Sequence, residues 1–231
     1  MKVHTSSQYE RNLSEVKENL VYLGALVEKA IHNAMKSLLD RDSDLARTTV
    51  EGDRLIDCMD EEIEEKCITL LALRQPIARD LRFITTAIKI NGHLERIGDM
   101  AVTIAERAIA LNEEPQLKPY IDLPRMAEIT EDMIRNSLDA LIHDDVELAN
   151  RVRREDDIID KLNEQIFREL LTFIMEDPKT THRALLIMQI SKNLERISDH
   201  AKSIADMVVF MVTGQNVRHQ YPGKPKDSEL P

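Results

Sequence analysis

The sequence predicts an all-α fold: two tandem three-helix bundles, six helices in all, related by an approximate two-fold axis. Three observations lead there. The chain of 231 residues holds only 6 Gly and 8 Pro, has 3% aromatics and no Trp, and is dominated by Leu, Ala, Ile and charged residues, the make-up of long helices with short connections. Its apolar residues recur at alternating spacings of three and four, the pattern of a helix seam. Finally, one phrase occurs twice: Leu94-Glu-Arg-Ile-Gly-Asp99 and Leu194-Glu-Arg-Ile-Ser-Asp199, each followed by Ala, Ile and Ala at matching positions (Ala101, Ile104, Ala105; Ala201, Ile204, Ala205).

The repetition runs upstream. Asp53-Arg-Leu-Ile-Asp57 aligns with Asp156-Asp-Ile-Ile-Asp160 at an offset of 103, as do Leu45-Ala46 with Leu148-Ala149 and Ile63 with Ile166. The offset settles at 100 for the Glu-Arg-Ile phrase, and the length change falls between Ala72 and Pro76, where a turn tolerates it. Two fused copies of a small helical unit explain this. The expected domains are residues 1–114 and 115–213, followed by a disordered tail at 214–231 that carries Pro222 and Pro225 and no periodicity.

The elements follow in order. The first helix, within 8–41, has its seam at Leu13, Val16, Leu20, Leu23, Val27, Ala30 and Ala34 and ends near Leu39, before polar turn residues. Ser43 is the expected cap of the second helix, which carries Val50, Ile56, Met59, Ile63, Cys67 and Leu70 and stops at Gln75-Pro76. A third helix, with Pro76 in its first turn, aligns Ile84, Ala87, Asn91, Leu94, Gly98, Ala101, Ala105 and Ala108. A proline-bearing linker covers 112–124, and three further helices are expected at about 124–143, 145–176 and 178–212. Long helices joined by short turns pack as antiparallel bundles.

Several function classes are disfavoured. A formal net charge of −11 argues against nucleic acid. No window approaches the roughly 18 apolar residues that span a bilayer, and the N-terminal residues form no apolar signal segment, so a soluble cytoplasmic protein is expected. Cys58 and Cys67 stand in no CxxC pattern and are read as reduced, half-buried helix residues. There is no inward Glu-x-x-His, phosphate-cradling glycine loop or nucleophile elbow. Glu28 and His32 have a metal-compatible spacing that the second copy does not repeat, and they are read as ordinary helix residues. Asp80 suits the start of the third helix, and Arg82 is read as solvated, with an anion contact as the rarer alternative.

Four carboxylate pairs stand at i, i+4: Asp53/Asp57, Glu95/Asp99, Asp156/Asp160 and Glu195/Asp199. Each pair shares a helix face, where like charges cost a helix about 0.2–0.5 kcal/mol. Around them the copies diverge, Glu64 becoming Phe167 and Glu65 becoming Arg168, yet all eight acids persist. Carboxylates beside a seam on neighbouring helices can converge on cations that prefer oxygen. Arg96 and Arg196, inside the motif, either neutralise their neighbours or hold the ligand carboxylates; His200 stands where the first copy has Met100, so the two sites need not be identical.

At these motifs, and at Pro76-Ile-Ala-Arg-Asp-Leu-Arg82, the chain resembles the PhoU family of regulators associated with high-affinity phosphate transport, over nearly its whole length apart from the tail. The resemblance implies two similar three-helix bundles bearing multinuclear metal clusters, iron or zinc, with magnesium or manganese as lighter alternatives. The ligands would be Asp53, Asp57, Glu95 and Asp99 in one copy, and Asp156, Asp160, Glu195 and Asp199 in the other. It also implies a non-enzymatic cytoplasmic adaptor that restrains phosphate-starvation signalling. Its partners would be a sensor histidine kinase and the ATPase subunit of the phosphate transporter. A homodimer that meets the membrane only through partners is the expected form. The rival readings are a metal-dependent phosphohydrolase and a metal-free structural bundle.

Overall fold

The computed structural model describes residues 2–74, 76–215 and 217, with side chains from residue 8 onward except that of Arg74. Six α-helices run α1 (Lys2–Leu39), α2 (Ser43–Arg74), α3 (Ala78–Asn112), α4 (Asp122–His143), α5 (Val146–Glu176) and α6 (Thr181–Thr213), and a single 3-10 turn, Pro178–Thr180, precedes α6. The described residues contain no strand.

The turns explain the boundaries. Asp42, not Ser43, caps α2: its Oδ1 accepts from the backbone N–H of Asp44 at 3.1 Å and of Leu45 at 2.9 Å. A carboxylate in this position also favours the positive end of the helix. Ser43 instead lies within the first turn, and its Oγ accepts from Asn112. The second copy repeats the device with Asp145, which accepts from Leu148 N–H at 2.9 Å. Before these caps the chain turns through Arg41 at φ 55° and Asp144 at φ 53°, closing α1 and α4. Pro76 stands ahead of α3 rather than in its first turn, whereas Pro178 opens the 3-10 turn before α6. The offset between copies changes across these two proline turns. Pro124, expected in the linker, falls inside the first turn of α4, where its missing N–H costs nothing.

Helices α1, α2 and α3 pack as one three-helix bundle and α4, α5 and α6 as the other; α3 packs on α6 and α1 on α4 to join them. The predicted seams are the buried ones. On α3 every seam residue from Ile84 to Ala108 is buried, and on α1 the line runs Val16, Leu20, Leu23, Val27, Ile31 and Ala34, with Leu13 and Ala30 at its rim. Buried residues of both bundles form one continuous cluster. The cysteines part company, Cys67 being fully buried and Cys58 exposed. Burial pushes the Cys67 thiol up to about 11, so it is an inert core group.

The connection between bundles is tied down. Arg41 donates to the carbonyls of Asn112 (2.6 Å) and Glu114 (2.7 Å), and Arg183 to that of Pro115 (2.9 Å). The expected 114/115 boundary lies within this segment. Of the tail, residues 216 and 218–231 lie outside the described residues, so its expected disorder does too. Gly214 closes α6 at φ 75°, and Arg82, read from sequence as solvated, lies against it: a Cβ at Gly214 would stand 3.0 Å from Arg82 Nη1. Val217 packs on the core, its carbonyl accepting from buried Arg153 at 3.2 Å.

The α1–α4 contact depends on one glycine. A Cβ built at Gly24 would lie 2.1 Å from Leu138 Cδ1, and Leu138 is itself buried. The Gly24→Leu variant keeps a good helix former but overfills this crossing. It is expected to cost about 1–3 kcal/mol, or about 2–4 °C in Tm for each kcal/mol at this chain length, with helicity retained. Thermal unfolding followed by circular dichroism checks it, and an unchanged Tm would show that the crossing has slack.

Candidate metal centres

In the first copy the acids meet across the α2–α3 seam. Asp53 and Asp57 project from α2, Glu95 and Asp99 from α3. Gly98 brings the helices together: a Cβ there would stand 3.1 Å from Ile56 side-chain carbons and 3.4 Å from Asp53 Oδ1. Asp53 is thus drawn over the α3 backbone and half-buried, as is Glu95, while Asp57 and Asp99 stay exposed. Burial, then Asp57 and Asp99, raise the Asp53 carboxyl above its ordinary range. Burial and Asp99 likewise raise Glu95, with Asp60 and Asp57 adding and Arg96 opposing. The four predicted acids therefore feel one another across the two helices. Among the described residues, Asp53 has no ion pair and accepts no hydrogen bond. Asp60, which sequence reasoning missed, borders the group and accepts from buried Asn91 at 2.7 Å.

The second copy answers the same problem with its own side chains. Asp156 is only 1% exposed, at the position of Asp53. Ser198, replacing Gly98, donates to Asp156 Oδ1 at 3.1 Å, and the Lys202 ammonium bonds Asp156 Oδ2. The pull of Lys202 extends to Asp160 and Asp199. Both carboxyls are raised by burial and by their acidic neighbours, and in both the ammonium opposes the rise. Glu195 pairs with Lys192 at 2.6 Å. Farther along the seam, buried Arg153 and Asp206 pair at 2.6 Å, where the first copy has Val50 and Glu106. The alignment that exposed the acids also contained Val102 against Lys202 and Gly98 against Ser198, the signal for this difference.

Chemically, the first copy offers an all-oxygen donor set, partly withdrawn from water and repelling itself, which fits a hard cation. Among the described residues no three His, Cys, Asp or Glu side chains already converge as an ion cage, so binding there requires the carboxylates to close in. Arg96 lies 3.5 Å from Glu95 and is largely exposed; Arg196 is exposed. His200 lies against His93 instead, Nδ1 to Nδ1 at 2.6 Å across the α3–α6 boundary with the rings edge to face. Burial, Arg196 and Arg96 hold the His200 imidazole below its usual range.

A separate carboxylate knot sits at α1–α4. Glu28 accepts from Arg135 at 2.8 and 3.1 Å, while Glu131 faces Glu28 with His32 at 3.8 Å. Burial and the Glu28 charge push the Glu131 carboxyl up to about 7, with the Arg135 charge partly opposing the rise. Glu28 and His32 are thus partners in joining the repeats.

Fold and site together define a duplicated, all-helical protein that carries an acidic cluster on the seam between the last two helices of each repeat. The PhoU domain model matches residues 20–108 and again 123–208, and the chain belongs to the PhoU family. It is 41% identical over 217 residues to a "phosphate-specific transport system accessory protein PhoU homolog" of Pseudomonas putida, a match covering 94% of this chain and 85% of that protein. A protein of the same description from Aquifex aeolicus is 41% identical over 211 residues, covering 91% of this chain and 96% of the other. The fold is shared with the crystal structure of PhoU from Pseudomonas aeruginosa at a TM-score of 0.87 and 39% identity, covering 90% of this chain and 100% of that one. It is likewise shared with that of the phosphate transport system regulatory protein PhoU from Streptococcus pneumoniae, at 0.83 and 25% identity, covering 90% and 99%.

The raised carboxyls set a pH dependence. An acid whose folded pKa lies above its unfolded value takes up protons on folding, so its contribution to stability falls as pH rises between the two. For Glu131 that window runs from 4.5 to about 7. Protein freed of metal is therefore expected to have a higher Tm at pH 5 than at pH 7.5. The Glu131→Gln variant should flatten this slope and gain a few degrees at pH 7.5. Calorimetric scans across the range check both, and an unaltered slope in the variant would remove Glu131 as its source.

Proposed function

We propose that this protein is a cytoplasmic, non-enzymatic regulator of phosphate uptake. It holds cations at an acidic helix seam and restrains phosphate-starvation signalling by docking on a sensor histidine kinase and on the ATPase subunit of the phosphate transporter. The observation that carries the metal reading is the mutual repulsion of Asp53, Asp57, Glu95 and Asp99 in one partly buried groove. A cation there offsets the like charge and holds α2 and α3 in register. Asp53, Asp57, Glu95 and Asp99 are its proposed holders in the first copy; Asp156, Asp160, Glu195 and Asp199 form the equivalent acidic group in the second, where Lys202 and Ser198 already bond Asp156. Iron or zinc is the leading identity, and the oxygen-only donors also suit magnesium or manganese. Family membership and the accessory and regulatory roles for which the relatives are named support the regulatory role. Among the described residues no helix is long and apolar enough to cross a membrane, which is consistent with attachment to a transporter through protein partners. A homodimer is the proposed working form, each protomer made of two repeats, 1–114 and 115–213.

Two measurements test this reading. Elemental analysis of protein purified without chelator is expected to find metal. The Asp53→Ala/Asp57→Ala/Glu95→Ala/Asp99→Ala variant should lose at least half of it with helicity unchanged, whereas full retention removes the first-copy site. Co-purification should recover the transporter ATPase subunit and the histidine kinase with this chain; recovery of neither defeats the docking reading. Turnover of a phosphate ester by metal-loaded protein, abolished by Glu95→Ala, would establish the phosphohydrolase instead.

A further inference from the structure

The two acidic clusters differ in their partners more than in their acids. Asp53 and Asp156 occupy equivalent places, each against the small-residue crossing of the α-helix that follows. Opposite Asp53 stands Gly98, which has no side-chain donor, and one turn on, at the position equivalent to Lys202, the first copy has the uncharged Val102. Opposite Asp156 stand Ser198 and Lys202, one turn apart on α6, and both bond the carboxylate. Val102 and Lys202 are both half-buried, so the two positions face comparable surroundings. Asp156 is nonetheless the more deeply buried acid, which a carboxylate tolerates only when paired.

We propose that Lys202 is the resident cation of the second cluster: its ammonium, with the Ser198 hydroxyl, occupies the place among Asp156, Asp160 and Asp199 that an exogenous metal ion would take, so that metal uptake is confined to the first cluster. The repeats then divide the work. The second carries an ammonium at its most buried acid as folded, and the first leaves its buried acid, Asp53, without one, to respond to the cations around it. The metal half of this inference rests on the metal reading above; the assignment of Lys202 does not.

Reciprocal substitutions test it. In chelator-treated protein, Lys202→Met keeps the aliphatic stem and deletes the charge, and it is expected to lower Tm by about 5–10 °C. Lys202→Arg should keep most of the wild-type Tm. Val102→Lys, which gives the first cluster its own ammonium, should raise Tm by about 2–4 °C. With Mn2+ followed by electron paramagnetic resonance, wild-type uptake should be lost in Asp57→Ala/Asp99→Ala and in Val102→Lys. It should be unchanged in Asp160→Ala/Asp199→Ala and roughly doubled in Lys202→Met. A chelated Lys202→Met protein as stable as wild type overturns the proposal. So does wild-type uptake that falls equally with either pair of alanine substitutions. If no variant takes up Mn2+ while the Tm changes occur as expected, the ammonium assignment stands and the metal reading above fails.

Discussion

The organising constraint is a charged side chain at a close helix crossing. Gly98 and Ser198 let the third helix of each repeat approach the second, and the approach carries an aspartate from the second helix into the seam. A carboxylate partly withdrawn from water must be paired, protonated or repelled outward. The two copies answer that demand differently at the aspartate itself: Lys202 and Ser198 bond Asp156 in one, while burial and neighbouring acids raise the Asp53 carboxyl in the other. Nothing in the apolar packing requires those acids. The seams of α3 and α6 are already complete with Leu94, Ile97, Leu194 and Ile197.

The same helices that carry the clusters also join the repeats. Glu95 and Asp99 lie on α3, Glu195 and Asp199 on α6, and these two helices pack together with His93 against His200. On the other side of the molecule α1 meets α4 through Gly24 against Leu138 and through the Glu28, Glu131 and Arg135 knot. One joint is therefore apolar and close, with a half-compensated acid beside it. The other places polar rings within two residues of proposed cation ligands. A change of charge at a cluster acts on the helices that set how the repeats sit against each other.

Much of this was legible in the sequence because duplication supplies an internal comparison. The seam of α3 could be listed residue by residue, since a period near 3.6 in a Gly-poor chain has few other readings. The acid pairs were legible for the same reason, surviving where Glu64 and Glu65 did not. The missing parts were of two kinds. Capping by Asp42 rather than Ser43 turns on a local choice between adjacent acceptors, which composition does not resolve. The Lys202–Asp156 and Glu131–Glu28 contacts join residues far apart in sequence, and only packing decides which long side chain reaches which acid. Asp60 went unnoticed because its equivalent is Asn163, which breaks the acidic match while keeping the hydrogen bond: Asn91 donates to Asp60, and Ser191 bonds Asn163 at 2.7 Å.

That last substitution shows how the copies have diverged. At four equivalent places the first copy keeps the more negative or less satisfied arrangement: Asp60 for Asn163, Gly98 for Ser198, Val102 for Lys202, Val50 with Glu106 for the Arg153–Asp206 pair; exposed Arg54 against Asp157 runs the other way. The direction is the same at all four, so the imbalance is spread along the seam rather than set at a single site. The two repeats thus share a scaffold while differing in how far each seam satisfies its buried carboxylate. The two halves share one buried cluster, so the seams that differ in charge are built on a single continuous core.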